Sequence, residues 1–172
     1  MNRLPRTALH AIGALAVICL LERGAAAQSG TSQIVKAANG FLSSLDEKQR
    51  KSVQFAFDDE EQRVRWSNLP VRAVRRAGLS FGEMSAPQRA AALSLLSAAL
   101  SRRGYEKVQE IMDGDETLRT NERNNSMFGK DLFYFSILGT PSEKSPWMLQ
   151  FGGHHLALNL TIAGERAYSR RA

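Results

Sequence analysis

Apolar residues recur first at helical and then at alternating spacing along the chain, and this change of period divides it into a helical part and a strand-forming part. From residue 32, Ile34, Val35, Ala38, Phe41, Leu42 and Leu45 fall at three- and four-residue steps, one face of an amphipathic helix that Gly40 weakens. Asp46 with Gln49 fits a capping box, in which each side chain satisfies a backbone donor, and predicts a second helix to about residue 55. Ser85 with Gln88 repeats that chemistry, and Pro87 sits in the first turn, where its missing N–H costs little. Leu93, Leu96 and Leu100 then form a stripe that Ala92, Leu95 and Ala99 widen. Gly104 provides a stop before Tyr105, Val108, Ile111 and Met112 resume the helical step, so a helix pair is expected over about 86–118.

Between these helices, Asp58, Asp59, Glu60 and Glu61 read as a solvated turn. Residues 62–66 alternate, with Val64 and Trp66 on one face and Arg63 and Arg65 on the other, predicting a short half-buried strand that Pro70 ends. Arg72, Arg75 and Arg76 lie at helical spacing before Gly78; three guanidinium groups there suit a phosphate or carboxylate, or plain solvated surface. The last third changes period. Residues 132–138 (LFYFSIL), 147–151 and 155–162 read as strands, separated by turn chemistry at 139–146 and by Gly152 and Gly153. The expected architecture is α+β: N-terminal helices packed on a C-terminal antiparallel meander of three strands, or four with the strand around Trp66.

Composition narrows the chemistry more than it alters this picture. The 172 residues, 43% hydrophobic and 23% charged, are those of one globular domain. Arg3 and Arg6, the apolar run 11–21 and the small residues Ala25, Ala26 and Ala27 predict an export signal over 1–27 and a secreted or periplasmic product. The run falls short of the roughly 20 residues a membrane span needs, so no stable span is expected after cleavage. Arg3, Arg6, Arg23 and Glu22 leave with the signal, and 20 Lys and Arg then oppose 16 Asp and Glu. So mild a balance argues against a nucleic-acid partner. Cys19, the single cysteine, leaves as well, which excludes a thiol nucleophile, internal disulfides and cysteine-ligated metals.

Two adjacent histidines, His154 and His155, follow Gly153. On a regular strand His154 shares a face with Leu156 and Leu158, and His155 shares the other with Ala157 and Asn159, so the rings point apart and cannot meet at one metal ion. A zinc site would need a bulge at the two glycines and carboxylates from elsewhere. His154 reads as a buried imidazole bonded to backbone at the sheet–helix interface. His155 reads equally as a packing residue or a ligand, including a ligand to a divalent metal. Trp66, Tyr134 and Trp147 read as sheet-packing aromatics. Asp113 to Glu116 superficially suggests a calcium loop, but the sixth position, which needs glycine, is Leu118. Serine-hydrolase, Walker, dinucleotide-binding and zinc-protease motifs are missing from the sequence.

Two functions remain from different classes. One is a binding module whose sheet face around Trp66, Gly153, His154, His155 and Asn159 takes a small polar molecule or a metal. The other is a hydrolase-like enzyme in which His155 serves as general base or metal ligand. A structural remnant without a ligand is a third reading, and an unknown protein partner is compatible with any of them.

The order Asp58-Asp59, Trp66, Pro70, Gly78-Leu79, Met84, Gln88-Arg89, Leu100-Ser101, Gly104-Tyr105, Pro146-Trp147, Phe151, Gly153-His154-His155 and Asn159 resembles bacterial members of the DUF3500 family, proteins of unknown function. The resemblance spans about residues 45–164, with 28–44 as an N-terminal helical segment ahead of it. It implies export and a mixed α/β fold, and no established activity. It also implies a domain incomplete at its C-terminus, because such members continue into a Pro- and Gly-containing segment and a second block with further histidines.

Overall fold

The structure, a computed structural model, describes residues 29–65, 67–121, 125–164 and 166–170. The expected export signal and Trp66 lie outside the described residues. In chain order the elements are α1 (Ser29–Ser44), α2 (Glu47–Val53), β1 (Gln54–Phe55), α3 (Glu60–Val64), β2 (Leu79–Ser80), α4 (Ala86–Ala99), α5 (Arg102–Asn121), β3 (Tyr134–Leu138), β4 (Trp147–Gly153), β5 (Leu156–Ala163) and β6 (Arg166–Arg170). Helices come first and the main strands last, so the fold is α+β.

The capping chemistry places the helices. Asp46 Oδ1 accepts from Gln49 N at 2.8 Å, while Gln49 Oε1 accepts from Asp46 N, and Ser85 with Gln88 closes the same box at α4. The two boxes also interlock. Gln88 Nε2 donates to Gln49 Oε1 at 2.8 Å and to the Ser44 carbonyl at 2.9 Å, tying the starts of α2 and α4 to the end of α1.

Strands β3, β4, β5 and β6 form an antiparallel meander. On the other edge of β3, β1 pairs in parallel and β2 antiparallel, so the sheet is mixed rather than purely antiparallel. One sheet face carries Phe135, Ile137, Leu149 and Phe151, which α1 and α4 cover with Phe41, Leu95 and Leu96. The Phe135 and Phe151 rings lie 4.6 Å apart and Phe41 packs 5.4 Å from Phe135.

Four expectations are corrected. Residues 60–64 are helical, because the Asp59 carboxylate caps a turn there by accepting from Gln62 N at 2.8 Å. An alternation only five residues long fits either period, and here the cap decides. The acidic run is therefore a helix start rather than a plain solvated turn, and the meander's fourth strand is β6 rather than residues 62–65. Arg72, Arg75 and Arg76 do not form a helical face; a single turn closes from Pro70 to Ala73 and Val74, and Gly78 then takes φ +100°. A Cβ there would sit 2.1 Å from the Phe135 carbonyl, so glycine is needed to bring this segment against β3.

Candidate functional site: the β4–β5 hairpin tip and the cleft beside it

The pairing of Gly153 with Leu156 leaves His154 and His155 as the whole connection between β4 and β5. This corrects the strand reading of the two histidines. The glycines do not make the turn; they allow close approach within the strand. A Cβ on Gly152 would lie 2.6 Å from the Leu156 carbonyl, and one on Gly153 would lie 2.8 Å from the Phe133 ring and 2.9 Å from the Leu132 carbonyl. His155 instead takes the turn's left-handed position, φ +57°, which only a minority of side chains adopt. As a result the imidazoles do not point apart. They stack, with centroids 3.8 Å apart.

Their environments differ sharply. His154 Nδ1 lies 2.6 Å from Asp115 Oδ1 on α5, and both side chains are largely buried, at 11% and 3% exposure. The second Asp115 oxygen accepts from Gly129 N at 2.8 Å, which fixes the carboxylate, and Phe128 packs 5.2 Å from the His154 ring. The partner of His154 is thus a carboxylate rather than the expected backbone group. His155 is exposed, and its backbone N–H donates to the Asn68 carbonyl at 2.8 Å. Among the described residues, no three His, Cys, Asp or Glu side chains are placed to hold a metal ion together.

The opposite sheet face carries polar residues. Register sets Ser136, Gln150 and Asn159 side by side on β3, β4 and β5. Gln62 of α3 closes over them: its amide donates to Ser136 Oγ at 3.1 Å and to Gln150 Oε1 at 2.9 Å. Gln150 in turn donates to Asn159 Oδ1 at 2.9 Å and to the Gln62 carbonyl at 3.1 Å. The relay occupies the Asn159 oxygen, while the Asn159 amino group has no hydrogen bond among the described residues.

Beside this relay lies a cleft of about 340 Å³, solvent at its mouth included, lined by Gln62, Arg65, Ser67, Arg76, Tyr134, Gln150 and Asn159 among others. Arg76 pins its outer wall by donating to the carbonyls of Ser67 and Leu69, both at 2.6 Å, and of Val74, with a longer contact of 3.5 Å to Gly153. Burial pushes the Arg76 guanidinium below its usual pKa. Burial, reinforced by Glu83, pushes the Tyr134 phenol above its own.

Of the residues expected to form one site, His154, His155 and Gly153 meet at the hairpin tip, Asn159 lies in the cleft, and Trp66 is outside the described residues. Asp115, Gln62, Gln150 and Arg76 complete the two arrangements. Asp115 has a legible signal, since it continues the apolar stripe of Tyr105, Val108 and Met112 at three- and four-residue spacing as an acid on an apolar face.

The fold and site therefore define an α+β protein with a clamped histidine turn at the tip of one hairpin and an amide-lined cleft beside it. The chain belongs to the DUF3500 family, described as proteins of unknown function, whose family model matches residues 27–169. No curated protein and no solved structure matches it.

Proposed function

We propose that this protein is a binding module for a small polar molecule, held in the cleft on the loop side of the sheet. The observation that carries the reading is the ordered relay Ser136–Gln62–Gln150–Asn159, which holds the Asn159 amino group as a preoriented donor at a cleft wall. The enclosed part of the cleft leaves only about 30 Å³ for water-sized groups, so the small polar head of a ligand enters it rather than a whole extended molecule. The test is a thermal-shift screen of the purified protein against small polar metabolites, repeated on Asn159→Ala. Stabilisation of the parent protein that the variant loses supports the reading. A screen in which nothing stabilises the parent protein overturns it.

The proposal includes export through residues 1–27, supported by their charge and hydropathy pattern and by a family match that starts at residue 27. Intact mass of the protein recovered outside the cytoplasm tests it, with Gln28 expected at the new N-terminus.

A second reading, general-base catalysis, is favoured by one observation and moves the base from His155 to His154. Only His154 has a carboxylate that fixes its ring orientation. Hydrolysis of p-nitrophenyl acetate that is lost in His154→Gln and kept in His155→Gln supports this second reading; no hydrolysis above the uncatalysed rate excludes it.

A further inference from the structure

We infer that the ligand of this cleft carries a single carboxylate, whose charge is met by Arg76 and whose oxygens are met by the Asn159 amino group and the Tyr134 hydroxyl. The inference rests on the binding-module reading and adds the chemical class of the ligand. Its first support is charge. Arg65 and Arg76 line the cleft, and no Asp or Glu is among its described lining residues. Arg65 is paired outward with Glu61, whereas every hydrogen bond of Arg76 goes to a neutral carbonyl. Arg76 is therefore a partly desolvated cation without a counterion among the described residues, and an anion beside it recovers the lost solvation.

The second support is hydrogen-bond polarity. Gln150 has both amide hydrogens and its oxygen engaged within the protein. Among the described residues, the Asn159 amino group, the Tyr134 hydroxyl and the Arg76 Nε–H have no hydrogen-bond partner, and all three can donate. A carboxylate accepts such bonds and offers none in return, so it fits this surplus better than an alcohol or an amide. Among the lining residues one unpaired guanidinium matches one negative charge; a phosphate dianion would need a second cation there, Arg65 is already engaged, and Arg75, which also acts on Tyr134, stands outside the lining.

The test uses the full chain and sodium acetate as the probe, with acetamide as the neutral isostere and inorganic phosphate as the competing anion. Titrations are followed by the side-chain NMR signals of Asn159 and Arg76. Acetate is expected to shift both signals with an affinity at least about tenfold above that for acetamide, roughly the value of one charge-assisted bond. The isosteric Asn159→Asp keeps the oxygen that Gln150 donates to and adds a like charge; circular dichroism establishes that it folds, and acetate binding is expected to vanish. Equal acetate and acetamide affinities, tighter binding of phosphate, or acetate binding unchanged in Asn159→Asp each overturns the carboxylate inference. If acetate is silent while a neutral compound from the thermal screen binds, the inference fails and the binding module stands. If nothing binds, both fail.

Discussion

On its helix side the sheet presents Phe135, Ile137, Leu149 and Phe151; on its loop side the residues between them are Ser136 and Gln150. Both sets are buried, with Phe151 at 2% exposure and Ser136 and Gln150 at 3% and 7%. Burial therefore does not separate the two faces. What separates them is that the aromatic face is held by non-directional packing, while the polar face is held by bonds with fixed partners. Packing tolerates small rearrangements at similar volume, but an amide relay works in one geometry only. A face of the second kind is suited to presenting a donor to a ligand, and a face of the first kind to supplying stability.

The largest effect should come from the aromatic face. Phe151 touches the rings of Phe81, Phe133 and Phe135, so Phe151→Ala leaves a cavity at the centre of the core and is expected to cost about 3–5 kcal/mol. Urea denaturation gives the value directly. A loss under about 1 kcal/mol would mean that this face does not carry the fold.

The hairpin tip, where the two faces meet, comes next. His154→Ala leaves the buried Asp115 carboxylate with the Gly129 N–H as its remaining described partner, and the expected loss is about 2–3 kcal/mol. A double-mutant cycle with Asp115→Ala should be strongly non-additive, because the second substitution removes the stranded charge. Additive losses would show that the two side chains do not depend on each other.

Gln150→Ala probes the polar face alone. It removes the hub of the relay and leaves Gln62 short of two bonds and Asn159 short of one at the edge of a cleft that water can enter, so about 1–2 kcal/mol is expected. The sharper expectation is a split: ligand binding falls much more than stability does. Equal losses in both would make the relay simply another part of the core.

The sequence made the aromatic face legible and left the polar one largely hidden, for physical reasons. Helix starts at Asp46 and Ser85 announce themselves because a cap and its partner lie three residues apart. Apolar alternation likewise identified β4 and β5. The relay, by contrast, joins Gln62 to Gln150 across 88 positions, and His154 meets Asp115 across 39. Nothing local in a glutamine states whether it will be buried with partners or solvated. The two histidines were misplaced for a related reason. Gly152 and Gly153 carry the local sign of a turn, yet the approach of Leu132, Phe133 and Leu156 required glycine one step earlier, and the turn fell on the residues that follow.

The weakest expected effect lies just outside this contrast. Asp115 and Glu116 are successive residues of α5, and each accepts one backbone N–H of the segment that leads into β3, from Gly129 at 2.8 Å and from Lys130 at 3.1 Å. Asp115 does so in the interior and Glu116 at the surface. The Arg119 hydrogen bond, with help from the Lys130 N–H, holds the Glu116 carboxyl below the usual carboxylate range. A carboxyl whose folded pKa is depressed adds stability above its unfolded pKa and loses it as pH falls through the lower folded value. Glu116→Gln should therefore be slightly less stable than the parent protein at neutral pH and indistinguishable from it once both are well below that range. Solvent screening keeps the gap small, and added salt should shrink it further. Melting temperatures of both proteins from pH 7 down to about pH 2 measure this convergence. A gap that stays constant across the range would mean that Glu116 contributes packing alone, leaving Asp115 as the charged anchor of the turn.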